Sequence, residues 1–66
     1  MLITVNGQPH EVTEHILLLD LMRQLGVKPE ITAVQRNAEV VNRKAVDSTV
    51  LMDGDTIELI RIVGGG

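Results

Sequence analysis

The sequence predicts an α+β domain in which a four- to five-stranded sheet packs on one main helix. Three observations carry that prediction. An alternating strand runs straight into Asn6-Gly7. A single segment places apolar residues at helical spacing. A second glycine turn, Asp53-Gly54-Asp55, feeds a final apolar strand. The chain has 66 residues and no Cys. A domain of this size buries only about 60% of its unfolded surface, so an aliphatic core has to hold it without disulfides.

Met1 to Val5 alternates, with Ile3 and Val5 on one face and Leu2 and Thr4 on the other. Asn6-Gly7 then predicts a type I′ turn, because both central positions of that turn require positive φ. A second strand is expected from His10 to Thr13 with Val12 inward, and Pro9 suits an edge position or the first residue of a strand. Leu18, Leu21, Met22 and Leu25 stand at i, i+3, i+4 and i+7, which makes one apolar helical stripe. Gly26 is placed to end that helix, and Pro29 opposes its continuation. Thr13 or His15 is the candidate cap at its start. Leu17 and Leu19 lie off the stripe, either covered by the loop before the helix or exposed. Ile31 to Arg36 reads as a third strand with Val34 and Thr32 inward, Asn37-Ala38 as a turn, and Glu39 to Val41 as a short strand. Ala45 and Val46 are expected to close one end of the core. The last strand is read from Thr56 to Val63, with Ile57 and Leu59 inward. Residues 1–63 form the domain, and 64–66 a flexible glycine tail.

Most classes of chemistry are excluded by what the folded body lacks. There is no Cys, Trp, Tyr or Phe. His10 and His15 are five apart, which matches neither a helical i, i+4 metal pair nor a zinc spacing, so no metal site is expected. Ser48 has no G-x-S-x-G context. No glycine-rich phosphate loop precedes a helix. The net charge is −3 and the basic residues are scattered, so nucleic-acid binding lacks both its electrostatic footprint and its aromatic stacking platform. The longest apolar run, Ile16 to Leu19, is too short to span a bilayer. With no signal-peptide pattern at Met1-Leu2-Ile3-Thr4, the expected location is the cytoplasm, with no membrane partner.

Chemistry therefore concentrates at Val63-Gly64-Gly65-Gly66. Three successive glycines have maximal backbone freedom and no Cβ, so they suit an extended tail that threads a narrow channel. The α-carboxylate of Gly66 is the candidate reactive group. The face of the last strand opposite Ile57 and Leu59 carries Glu58 and then Ile60 and Ile62, where a half-buried strand would place polar residues. A central strand or a covering loop would account for Ile60 and Ile62. A docking patch contiguous with the tail is the functional alternative, with Val63 alongside. Arg61 is either a solvated strand residue or a contact to an acidic partner surface.

The order of hairpin, helix, short strands, D-G-D turn and a final strand ending in glycines resembles the ubiquitin-like β-grasp fold, a mixed sheet on one helix. Several motifs narrow the resemblance to the ThiS family, the prokaryotic sulfur carriers of thiamin thiazole synthesis. They are the opening strand with Asn6-Gly7, Leu21-Met22-x-x-Leu25, Ala33-Val34-x-x-Asn37 with Val40-Val41, Asp53-Gly54-Asp55-x-Ile57-x-Leu59, and Val63-Gly64-Gly65-Gly66. The resemblance covers the whole chain. Asn42 and Val46 stand where such proteins often carry Pro and an aromatic. The related carrier of molybdopterin synthesis often has a Phe before the tail, where this chain has Ile62-Val63.

The resemblance implies that the chain is a carrier and not an enzyme. An E1-like adenylyltransferase of the ThiF type would use ATP to adenylate Gly66. Sulfur from a persulfide donor would then leave a thiocarboxylate, a 1-thioglycine, for delivery to a thiazole synthase of the ThiG type. Gly65 and Gly64 would be recognised along the tail, and no cofactor would be bound by the chain itself. Carriers for molybdopterin, tRNA thiolation or protein conjugation, and a β-grasp interaction module without chemistry, are the alternatives.

Overall fold

Strand β1 (Leu2–Val5) turns back on β2 (Gln8–Glu11) through Asn6 and Gly7, whose φ values are +49° and +79°. This is the type I′ geometry expected of Asn-Gly. The computed structural model describes residues 1–63. A two-residue turn pairs Val5 directly with Gln8, so β2 begins before the expected His10. Pro9 therefore lies inside β2, where it is tolerated because that strand lies at the sheet edge. Val12 follows the strand and still packs against the core.

Helix α1 (Leu18–Gln24) buries Leu18, Leu21 and Met22, while Leu25 forms its C-cap and stays partly exposed. Its start differs from expectation. Leu17 precedes the first turn and no side chain caps it. The amides of Leu18 and Leu19 instead donate to the carbonyls of Thr49 (2.8 Å) and Val46 (3.2 Å). A neighbouring backbone segment thus satisfies donors that any helix start leaves open. The same segment accounts for the off-stripe leucines: Leu17 bridges Val50, and Leu19 packs against the core beside Val46. At the other end Gly26 takes φ +71°. The Gly26 amide donates to Arg23 (3.1 Å) and the Val27 amide to Met22 (2.8 Å), the two bonds of a Schellman motif.

A 3-10 turn over Pro29–Ile31 leads into β3 (Thr32–Arg36), which pairs with β4 (Glu39–Val41). A second 3-10 turn, Arg43–Ala45, begins at Asn42, whose side chain accepts from the Lys44 amide. It delivers Val46 into the core. The last strand, β5 (Thr56–Arg61), ends two residues before the expected Val63, although the Ile62 amide still donates to Ile31 at 2.7 Å. The sheet is mixed and five-stranded, in the order β2-β1-β5-β3-β4, with β1 parallel to β5. Its inner face, from Ile3, Val5, Val34 and Ile57, packs on α1 and on Ile16, Val46 and Leu51. The other face is open.

Asn37 and Ala38 connect β3 to β4 with φ values of +51° and +69°. Asn tolerates the left-handed region, but Ala carries a Cβ penalty of roughly 1–2 kcal/mol there. Glycine would remove that penalty while losing about 0.5–1 kcal/mol of chain entropy. Ala38→Gly is accordingly expected to stabilise the chain by about 0.5 kcal/mol, read as a higher urea midpoint with an unchanged slope.

Candidate functional site

The distal part of β5 is the part of the fold that leads to the glycines. The strand is central, yet Ile60 and Ile62 remain 49% and 48% exposed, and Val63 is 85% exposed. Centrality therefore does not hide them, and no described segment covers them. Ile60 lies opposite Ala33 of β3 on the open face, and Val40 of β4 adds a third exposed aliphatic side chain nearby. The register places Glu58 opposite Gln35 on this face, with Val40 beyond Gln35, so along β5 itself the outward positions turn from polar to apolar at Ile60. Arg61 alternates to the other face of β5 and is exposed. Gly64, Gly65 and Gly66, with the expected flexible tail and its carboxylate, lie outside the described residues.

Two asparagines from the hairpin turns hold β5 in place. Where β1 ends, Asn6 continues its ladder: the Asn6 amide donates to Ile57 O (2.9 Å), and its side-chain Oδ1 accepts from the Leu59 amide (2.8 Å). On the other side the Asn37 amide donates to Thr56 O (2.8 Å), and Asn37 Oδ1 accepts from the Thr56 amide (2.9 Å). Asn37 Nδ2 donates to Asp55 Oδ1 (3.0 Å). The Asp55 carboxylate is buried and also accepts from Arg36 Nε (2.9 Å) and the Met52 amide (2.8 Å). Burial pushes this carboxyl up. The hydrogen bonds from Asn37, Met52 and Arg36, with the Arg36 charge, outweigh burial and hold it below the ordinary carboxylate range. Gly54, at φ +84°, makes the turn that aims Asp55 inward. Sequence reasoning took Asp53-Gly54-Asp55 as a turn and missed that its last residue is the polar anchor of β5.

Ser48 Oγ donates to Ala45 O (3.2 Å), a turn contact. Among the described residues no cluster of His, Cys, Asp or Glu could hold a metal ion, and no helix is long and apolar enough to cross a membrane.

The model of the ThiS family matches residues 3–66. The crystal structure of the thiamine biosynthesis protein ThiS from Geobacter metallireducens superposes with a TM-score of 0.87 at 39% identity, covering 100% of both chains. The ubiquitin-like β-grasp fold is thereby shown. A thiazole synthase of Magnetococcus marinus is 41% identical over 66 residues, all of this chain but 20% of that protein. The sulfur carrier protein ThiS of Bacillus subtilis is 34% identical over 47 residues, 71% of each chain. The chain thus spans about a fifth of the length of the thiazole synthases it matches.

Proposed function

The chain belongs to the ThiS family, and from that premise we propose that it carries sulfur for formation of the thiazole ring of thiamin. The observation that carries the proposal is the pair of half-exposed isoleucines, Ile60 at the end of β5 and Ile62 just beyond it, on the segment that precedes Gly64-Gly65-Gly66. A carboxylate is a poor electrophile. An E1-like adenylyltransferase of the ThiF type joins it to AMP, which is a good leaving group. The outer sulfur of a persulfide donor displaces AMP to form an acyl disulfide. A thiol then cleaves that S–S bond, leaving a thiocarboxylate on Gly66 and the donor sulfur in a disulfide with the thiol. The chain binds no nucleotide of its own and supplies recognition and proximity: docking of the body through Ile60, Ile62, Val63 and Arg61 makes arrival of the reactive end effectively intramolecular.

The acceptor side of the proposal draws on the thiazole synthases that contain a segment similar to this chain as a fifth of their length. Covalent attachment of such a segment to the acceptor enzyme in those proteins supports a ThiG-type enzyme as the sulfur acceptor here. Together with Ile62-Val63 in place of a Phe, it favours thiazole over molybdopterin as the destination. A cytoplasmic location, expected from the sequence, is part of this proposal. A strain deleted for the chain is expected to need thiazole or thiamin for growth and to recover on re-expression; growth without the supplement would contradict the assignment.

The glycines enter through their lack of Cβ. Forcing one methyl into a close-fitting channel costs about 1–3 kcal/mol, so Gly65→Ala is expected to slow thiolation about tenfold or more with an unchanged melting temperature. Thiolation of that variant at the wild-type rate would remove the threading argument.

A further inference from the structure

On the side of β5 opposite Ile60 and Ile62 lies a cleft of about 300 Å³ between that strand and the loop after α1. Its floor is apolar, from Val27, Ile31 and Leu59, and its rim carries Lys28 and Arg61 with Asn6 at one end. Among the described residues no acidic side chain lines it, although the chain as a whole carries a net charge of −3. Neither cation forms an ion pair among the described residues, where the one salt bridge joins Arg36 to Asp55. Arg61 lies opposite Thr32, whose hydroxyl donates to the Lys28 carbonyl at 2.7 Å, so backbone pairing ties the two cation-bearing positions to one frame.

One further feature suits an incoming chain segment, and one opposes an acidic one. β1 pairs with β5 only through Thr4–Thr56 and Val5–Ile57. Asn6 extends that ladder to Leu59, and beyond it this edge of β5 has no described strand beside it. An unpaired strand edge is a template for an added extended segment. The cleft also adjoins the C-terminus of α1, whose dipole disfavours anions. That term amounts to about half a charge at most, and the Schellman bonds already engage the Met22 and Arg23 carbonyls. Two full positive charges on the rim outweigh it.

We propose that this cleft receives an extended acidic segment of the partner protein that takes the glycine tail, with a carboxylate side chain between Lys28 and Arg61 and an adjoining apolar side chain on Val27, Ile31 and Leu59. The partner then grips the end of β5 from both faces, through Ile60 and Ile62 on one and the cationic cleft on the other. This rests on the carrier function proposed above.

The test has two arms. In the first, the ¹⁵N-labelled chain is titrated with acetyl-Leu-Glu-Leu-amide, acetyl-Leu-Gln-Leu-amide and inorganic phosphate. The Glu peptide is expected to shift the amides of Val27, Lys28, Thr32 and Arg61 saturably, and these shifts vanish in the Lys28→Glu/Arg61→Glu variant. Equal shifts from the Gln peptide, or from phosphate alone, would overturn a carboxylate-bearing segment as occupant. In the second arm, thiolation by the activating enzyme is followed by intact mass. The cleft variant is expected to raise KM about tenfold with kcat unchanged. Arg43→Glu/Lys44→Glu, an equal charge change on an exposed turn, leaves KM within about twofold. Equal effects of the two variants would overturn the partner assignment. If the wild-type chain gains no sulfur at all, the carrier function fails, and with it the assignment to the tail-binding partner, while the peptide arm still decides the chemistry of the cleft.

Discussion

Asp55→Ala is expected to destabilise the chain by about 3 kcal/mol, the cost typical of removing one member of a buried charge pair. The carboxylate accepts from Arg36, Asn37 and the Met52 amide, and alanine leaves all three donors without it. A domain of this size has only about 3–5 kcal/mol to lose, so the variant should lie close to its unfolding midpoint at room temperature. Asp55→Asn keeps the shape and part of the bonding and should cost less. The pH dependence follows from the direction of the shift. The folded-state pKa of Asp55 is depressed, so its contribution is complete above the unfolded value of about 4. It is lost as pH falls through the folded value. Urea midpoints measured between neutral and strongly acid pH should therefore drop below about pH 4 in the wild type, and drop less in Asp55→Asn. Parallel curves would show that Asp55 is not the group responsible.

Ile60→Ser/Ile62→Ser is expected to leave the fold intact and to lower kcat/KM for thiolation about thirtyfold. Full burial of an isoleucine is worth about 1.5–3 kcal/mol. Since each side chain is about half exposed in the free chain, docking has roughly 1 kcal/mol apiece left to gain. A combined loss of about 2 kcal/mol corresponds to that factor. The change should appear in KM, because the patch touches no reacting atom. Leu2→Ser serves as control: Leu2 is 51% exposed on the same open face, but it starts β1, away from the end of β5. Equal losses from both substitutions would point to a general effect of surface hydrophobicity.

Local signals made much of the fold legible. Asn6-Gly7 predicted its hairpin because the required φ values are a property of two adjacent residues, and the helical stripe with Gly26 predicted α1 and its end for the same reason. What stayed hidden depends on partners distant in the chain. The start of α1 could not be read from Thr13 or His15, because its amides are satisfied by Val46 and Thr49 carbonyls. Asp55 looked like a turn residue because Arg36 and Asn37, which make it an anchor, lie 19 and 18 positions away. The apolar turn of the outer face at Ile60 and Ile62 was legible as a break in alternation. That it survives on a central strand without cover required the sheet order. The cationic cleft was invisible in the sequence, since Lys28 and Arg61 meet only when β5 lies against β3.

The most direct measurement is the intact mass of the protein after incubation with its E1-like partner, ATP, a persulfide donor and a thiol reductant. Gly66 as carrier predicts a gain matching replacement of one oxygen by sulfur, absent when Gly66 is deleted. An unchanged mass with an enzyme and donor of demonstrated activity, or the same gain without Gly66, would contradict it.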